Sequence, residues 1–173
     1  MNFLFPLIYS TLLFISLSVF CVYTIEQIRR IQKLEKRISH LSEKIYNDDS
    51  LYEDYYRLGQ IYVRKKIYEK AILLFRQALF NWDMNDRIGL GSLYNTIGFT
   101  YFNLKDYEYA LYYYHIAIKL MPDYILALTN LAFTYEKLKN FYTAKKFYQI
   151  TLTYDPLNRL ALSRLNYLDK ANL

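Results

Sequence analysis

The chain has 173 residues and a mass of 21.0 kDa, which suits one domain of ordinary size plus an extension and predicts no second, enzymatic domain. A hydrophobic fraction of 54%, with 21 Tyr and 11 Phe, excludes a mainly disordered chain, because that much apolar and aromatic area can offset the chain entropy of folding. The formal charge of +6 is densest beside an apolar N-terminal stretch, and the single cysteine, Cys21, excludes an intrachain disulfide or a cysteine-rich metal site.

Only four Gly and three Pro interrupt the chain, so few loops and long helices are expected. Residues Asn2 to Ile25 carry no charged side chain, and these 24 residues as a helix would reach about 36 Å against a hydrocarbon layer of about 30 Å. A secretory signal is the competing reading. It wants a basic region before the apolar run and a small-residue cleavage site after it, whereas here Ser16, Ser18 and Cys21 form no such site and the basic residues come after the run. Residues 1–25 therefore predict an uncleaved transmembrane helix. Arg29, Arg30, Lys33, Lys36 and Arg37 follow it and are the candidate membrane-surface residues; by the positive-inside rule they keep the rest of the chain in the compartment of synthesis.

Residues 26–50 read as a basic helical stalk. Ile31, Leu34, Ile38, Leu41 and Ile45 recur at spacings of 3 and 4, a heptad seam too short to hold a coiled coil alone. Such a seam could pair two protomers, lie on a membrane with its basic flank against anionic lipid, or fold back on the first helices after the stalk. Asn47, Asp48, Asp49 and Ser50 break the pattern and are expected to cap the next helix.

An internal repeat then begins, most legible from Gly91 to Tyr124. Counting Gly91 as first, Tyr94, Ile97, Gly98, Tyr101, Ala110, Tyr114, Ala117 and Pro122 fall at places 4, 7, 8, 11, 20, 24, 27 and 32. Thirty-four residues later the same places hold Leu128, Leu131, Ala132, Tyr135, Ala144, Tyr148, Thr151 and Pro156; thirty-nine residues earlier they hold Tyr55, Leu58, Gly59, Tyr62, Ala71, Phe75, Ala78 and Asp83. The pattern resembles the tetratricopeptide repeat (TPR), with Tyr94 where Trp is usual, Thr151 in place of Ala and Asp83 in place of Pro. Small residues at Gly98 and Ala110 would let two antiparallel helices approach, large ones at Tyr101 and Tyr114 would fill the space above, and Pro122 would end the second helix.

The expected fold class is all-α: a transmembrane helix, then a right-handed TPR superhelix of three helix pairs (52–85, 91–124, 125–158) and a capping helix over 159–173. Residues 86–90 exceed the period, and with Asn85 or Asp86 as N-cap they predict a lengthened helix rather than a loop, although Gly89 and Gly91 argue mildly against it. In the last segment Leu160, Leu165 and Leu168 are expected to face inward, and Asn166 stands where the repeat wants a small residue.

No catalytic constellation accompanies this pattern. His40 and His115 lie in separate segments without metal-ligand spacing, no Ser or Cys has a His and an acid in a recognisable arrangement, and Cys21 lies within the apolar stretch. The GLG at residues 89–91 lacks the third Gly and the preceding strand of a phosphate loop. A non-enzymatic protein is expected, with no cofactor, no metal and no small-molecule substrate.

The resemblance to TPR proteins implies instead a concave groove, lined by places 2, 5, 9 and 12 of each first helix. Here these are Glu53, Tyr56, Gln60 and Val63; Ser92, Asn95, Phe99 and Phe102; and Leu126, Thr129, Phe133 and Glu136. The set is aromatic and weakly charged. It lacks the Lys, Asn and Arg clamp of chaperone-tail adaptors, so an extended or helical apolar partner segment is expected. The alternative is that Phe99 or Phe133 merely packs under the stalk or the capping helix. RNA binding would need a basic stripe, and none of the twelve places holds Lys or Arg.

Anchor, basic stalk and about three TPR units in a Tyr-, Ile- and Lys-rich chain together resemble the membrane-anchored TPR assembly factors for photosystem I of algal plastids and cyanobacteria. The resemblance implies a single-pass thylakoid protein with its repeats on the stromal side, or on the cytoplasmic side of a bacterial membrane. Its partners would be photosystem I subunits or other assembly factors. A general membrane-bound TPR scaffold for quality control or envelope assembly is the other reading.

Overall fold

The structure, a computed structural model, describes residues 4–47 and 49–171; the first three residues of the expected anchor, Asp48 of the expected cap and residues 172–173 of the expected last helix lie outside the described residues. Described residues form eight helices and no strand: α1 (Leu4–Tyr46), α2 (Tyr52–Arg64), α3 (Tyr68–Asn81), α4 (Arg87–Asn103), α5 (Tyr107–Leu120), α6 (Ile125–Lys137), α7 (Phe141–Tyr154) and α8 (Arg159–Lys170).

Apolar stretch and stalk are one unbroken helix of 43 residues, about 65 Å long at 1.5 Å per residue, because no Gly or Pro interrupts it after its first turn. Its N-terminal part is long and apolar enough to cross a membrane, and none of that stretch is buried by the rest of the chain. The stalk half folds back: Leu34, Ile38, Leu41 and Ile45 pack against Leu58 and Ile61 of α2 and Leu74 of α3. Of the three fates open to the heptad seam this is the one adopted, and only Ile31, 58% exposed, stays outside it. Lys65–Glu35 at 2.6 Å and Lys44–Asp54 at 3.5 Å tie the two elements at the edges of the seam.

The start of α2 corrects the expected cap. Leu51 is its N-cap residue in extended conformation, and the Leu51 N–H donates to Asp54 Oδ2 at 3.3 Å. The capping carboxylate thus comes from inside the first turn, where Lys44 also holds it, and no side chain from 47, 49 or 50 bonds to a first-turn amide among the described residues.

Helix pairs α2–α3, α4–α5 and α6–α7 stack in order, and α8 covers α7. A Cβ on Gly98 would lie 2.8 Å from the Tyr114 ring and 3.2 Å from the Ala110 carbonyl, so only glycine allows this approach of α4 to α5. Each pair turns at a lysine with positive φ: Lys66 (60°), Lys105 (64°) and Lys139 (61°). At each turn the next residue donates its N–H to the carbonyl of the large eleventh-place residue, Tyr62, Tyr101 or Tyr135, which closes three identical Schellman motifs. Thr151, the departure from the small-residue signature, is fully buried, and its hydroxyl donates to the Phe147 carbonyl at 3.0 Å.

The five-residue excess does lengthen a helix: α4 has 17 residues where α2 and α6 have 13. Asp86 Oδ1 accepts the Gly89 N–H at 2.8 Å and Oδ2 accepts Trp82 Nε1–H at 3.1 Å. A Cβ on Gly89 would collide with the Asp86 carboxylate and come within 2.7 Å of the Trp82 ring. The glycine that argued against a helix is what leaves room for its cap.

The last helix also differs in detail from expectation. Ala161 and Leu168 are buried and Leu165 partly so, whereas Leu160 is 50% exposed and points outward. The inward face runs 161, 165, 168 because Asn158 starts the helix, its Oδ1 accepting the Ala161 N–H at 3.1 Å. This face closes a second core with Ala132, Ala144 and Tyr148, separate from the larger core under the first two repeats.

Candidate functional site

The first helices of the three pairs carry the expected groove positions, but they do not contribute equally. In α2, Tyr56 is half-buried, its ring 5.5 Å from Trp82 and its hydroxyl 3.2 Å from Ser92 Oγ and 3.3 Å from Thr96 Oγ1. Val63 packs into the main core, Glu53 holds Arg57 at 2.7 Å, and Gln60 lines a different cleft, between α1 and α2. The stalk lies along one side of α2 and shares its cleft with Gln60, while Tyr56 turns to Trp82 and to α4. The open groove is therefore shorter than the sequence implies and is built by α4 and α6.

There two adjoining cavities share one wall. One, of about 210 Å3, is lined by Phe99, Phe102, Tyr114, Asn130 and Phe133; the other, of about 260 Å3, by Asn95, Thr96, Phe99, Leu126 and Asn130. Phe99 and Asn130 belong to both. Phe99 is 42% and Leu126 52% exposed, while Phe102 and Phe133 meet with ring centroids 5.6 Å apart. Beneath them Asn95 is buried and accepts at Oδ1 from Asn130 Nδ2 at 3.0 Å, which pins α4 to α6. Thr129 is buried and returns its hydroxyl to the Ile125 and Leu126 carbonyls, both at 3.0 Å. Asn95 and Thr129 thus support the groove rather than line it freely. Thr96 and Asn130 stand at the sixth place, outside the twelve; a face that includes place 2 also includes place 6, one turn on.

Glu136 closes the far end. It takes Arg164 of α8 in a two-pronged ion pair, with Nε at 3.0 Å, and Tyr148 donates its hydroxyl to Oε2 at 3.1 Å. Burial first, and the Glu136 charge second, push the Tyr148 phenol far up, so it stays a donor; the hydrogen bond to Glu136 raises Arg164 further. The Arg164 guanidinium also lies 5.9 Å from the Phe133 ring centroid, and Lys137 Nζ lies 4.9 Å from it. None of the twelve places holds Lys or Arg, yet the surface is not free of cations, because α8 supplies Arg164 from outside the repeat. Phe133 accordingly sits between the groove and the capping helix, whereas Phe99 is free of it.

The remaining candidates are dispersed. Arg29, Arg30, Lys33 and Lys36 are exposed along α1, with Arg30 paired to Glu26 at 2.5 Å, while Arg37 lines the cleft with α2. His115 packs between repeats, Nε2 2.8 Å from the Tyr135 hydroxyl and its ring 5.8 Å from Phe147; burial lowers its pKa. Among the described residues no group of three His, Cys, Asp or Glu is placed to hold a metal.

Helix pairs stacked around a concave surface define a tetratricopeptide-repeat protein-interaction scaffold, and the family models agree: tetratricopeptide repeats match at residues 55–79, 91–124 and 125–158. Over 131 residues the chain is 41% identical to the ycf37 protein of Guillardia theta, covering 76% of this chain and 74% of that one, and it belongs to the ycf37 family. The chloroplastic tetratricopeptide repeat domain-containing protein PYG7 of Arabidopsis thaliana is 30% identical over 123 residues, 71% of this chain and 40% of that larger protein. Among solved structures MamA superposes with a TM-score of 0.73 over 83% of this chain and 81% of its own, at 18% identity, which is a likeness of fold.

Proposed function

We propose that this protein is a non-enzymatic, single-pass membrane scaffold that holds an apolar segment of partner proteins in the α4–α6 groove and so assists photosystem I assembly or stability. The observation that carries the reading is Phe99, a large exposed ring shared by two cavities over a fixed Asn95–Asn130 floor. An exposed aromatic that a partner segment covers, beside a rigid polar pair, is how short segments gain affinity and register. Membership in the ycf37 family, the chloroplastic relative and the resemblance to photosystem I assembly factors support the partner class. Residues 1–25 serve as the anchor in the thylakoid, 26–50 as the stalk, with Arg29 and Arg30 at the stromal membrane surface, Lys33 and Lys36 farther out along the stalk, and the repeats in the stroma.

The test is an affinity pull-down of the full chain from mildly solubilised membranes, beside a Phe99→Ala/Phe133→Ala variant of unchanged helix content. Enrichment of photosystem I subunits by the wild type, reduced about tenfold or more in the variant, is expected, since truncating an anchoring aromatic costs roughly 2 kcal/mol or more. Equal capture by both proteins would remove the groove from the function. A set of unrelated membrane proteins would replace this reading with a general scaffold.

A further inference from the structure

Where α1 lies against α2 the two helices enclose a cavity of about 420 Å3 whose lining is basic. Arg37 and Lys44 come from α1, with His40 between them, Arg57 and Arg64 come from α2, and Asp54 is the one carboxylate. The register explains the convergence: each pair of cations is seven residues apart, two helical turns, and so shares one face. The apolar seam of Leu41, Leu58 and Ile61 holds these two basic faces together against their mutual repulsion.

Two of the four cations are answered within the fold. Lys44 reaches Asp54 at 3.5 Å, and Arg57 holds Glu53 of its own helix at 2.7 Å. Asp54 also accepts the Leu51 N–H, at the same oxygen, Oδ2, that faces Lys44. Arg37 and Arg64 form no ion pair among the described residues.

We propose that this cleft binds a compact, multiply charged, phosphate-bearing anion from solution, held between Arg37 and Lys44 of α1 and Arg57 and Arg64 of α2. Guanidinium forks match phosphate oxygens in pairs, and a cavity of this volume takes a pyrophosphate-sized group with part of a small molecule attached to it. A lipid headgroup is the other source of the same chemistry, and the length of α1 disfavours it. Arg37 lies twelve residues beyond Ile25 on one continuous helix, about 18 Å along the axis. The headgroup layer extends only about 5–7 Å past the hydrocarbon. An anion in the cleft would lock the stalk onto the first repeat and thereby fix the repeats relative to the membrane. This site is independent of the α4–α6 groove, so its test does not depend on the partner.

The experiment uses the full chain in nanodiscs of phosphatidylcholine, titrated with pyrophosphate at constant ionic strength and read by calorimetry and by thermal midpoint. One saturable site and a raised midpoint are expected. Arg37→Gln/Arg64→Gln, which breaks no ion pair among the described residues, should keep its helix content and bind about tenfold or more weakly, and Arg64→Gln alone should bind several-fold more weakly. Absence of saturable binding, or equal affinity in wild type and both variants, overturns the proposal. In nanodiscs containing phosphatidylglycerol the affinity should be unchanged; loss of pyrophosphate binding there would give the cleft to lipid headgroups and overturn the solution source.

Discussion

Single residues decide what this fold tolerates and what it offers. Gly98 and Thr151 occupy equivalent kinds of position, places where the repeat wants little volume, yet they solve the problem differently. At Gly98 the neighbouring Tyr114 ring leaves no room for a Cβ, while at Thr151 the hydroxyl finds the Phe147 carbonyl and can be buried. Phe99 does the opposite and leaves a large ring in water, which is why it marks the groove. His115 carries a measurable consequence. Burial lowers its pKa below the ordinary value of 6.5, so below that pH the unfolded chain takes up a proton that the folded one resists. Stability linked to His115 is thus fully present above pH 6.5 and declines as pH falls below it. Urea midpoints at about pH 7.5 and about pH 5.5 should therefore diverge more for the wild type than for His115→Gln; equal divergence would show that this ring does not titrate differently on folding.

Among the elements, α1 performs two tasks along one axis. Its exposed apolar half is suited to lipid and its seam half to α2, and the change falls where charged residues begin at Glu26. The seam stands in for a second helix of a preceding pair, covering the open side of the first repeat as α8 covers the open side of the last. Leu41 is the most buried residue of α1 in this contact, and Leu41→Ala should weaken docking by about 2–5 kcal/mol. Limited proteolysis of the detergent-solubilised chain should then cleave faster between Tyr46 and Leu51, with the repeats still helical. If the whole repeat domain melts instead, α1 belongs to its cooperative unit; if cleavage is unchanged, the seam does not hold the joint.

At the scale of the whole molecule, the proposed single-pass anchoring makes α1 the element that sets the height of the short superhelix above the membrane. The cluster Arg29, Arg30, Lys33 and Lys36 follows the apolar half; in the proposed topology the positive-inside rule keeps the repeats on the side of synthesis. Alkaline carbonate should leave the chain in the membrane pellet. Protease applied to the stromal face of isolated thylakoids should remove the repeats, and protection from that protease would reverse the proposed topology.

The fold was legible in the chain because a repeat states its packing several times over. Gly98, Ala110 and Tyr114 recur in kind at Gly59, Ala71 and Phe75 and at Ala132, Ala144 and Tyr148, and each set can bury itself only by pairing two helices. The excess before Gly91 was legible too, since Asp86 is a good cap, although the room that Gly89 provides for it depends on Trp82, a residue of the preceding helix. The positive φ of Lys66, Lys105 and Lys139 is marked by no glycine or asparagine, because three closing hydrogen-bond pairs hold those turns. Composition and local period by themselves determined the helices, their pairing and the apolar N-terminal span. Tertiary structure alone decided which fate the stalk seam takes, that α2 is largely withdrawn from the groove, and that Arg164 reaches Phe133. The physical reason is that these three outcomes depend on contacts between elements far apart in the chain, such as Glu136 with Arg164 and Glu35 with Lys65, and no local pattern encodes which distant surface will arrive.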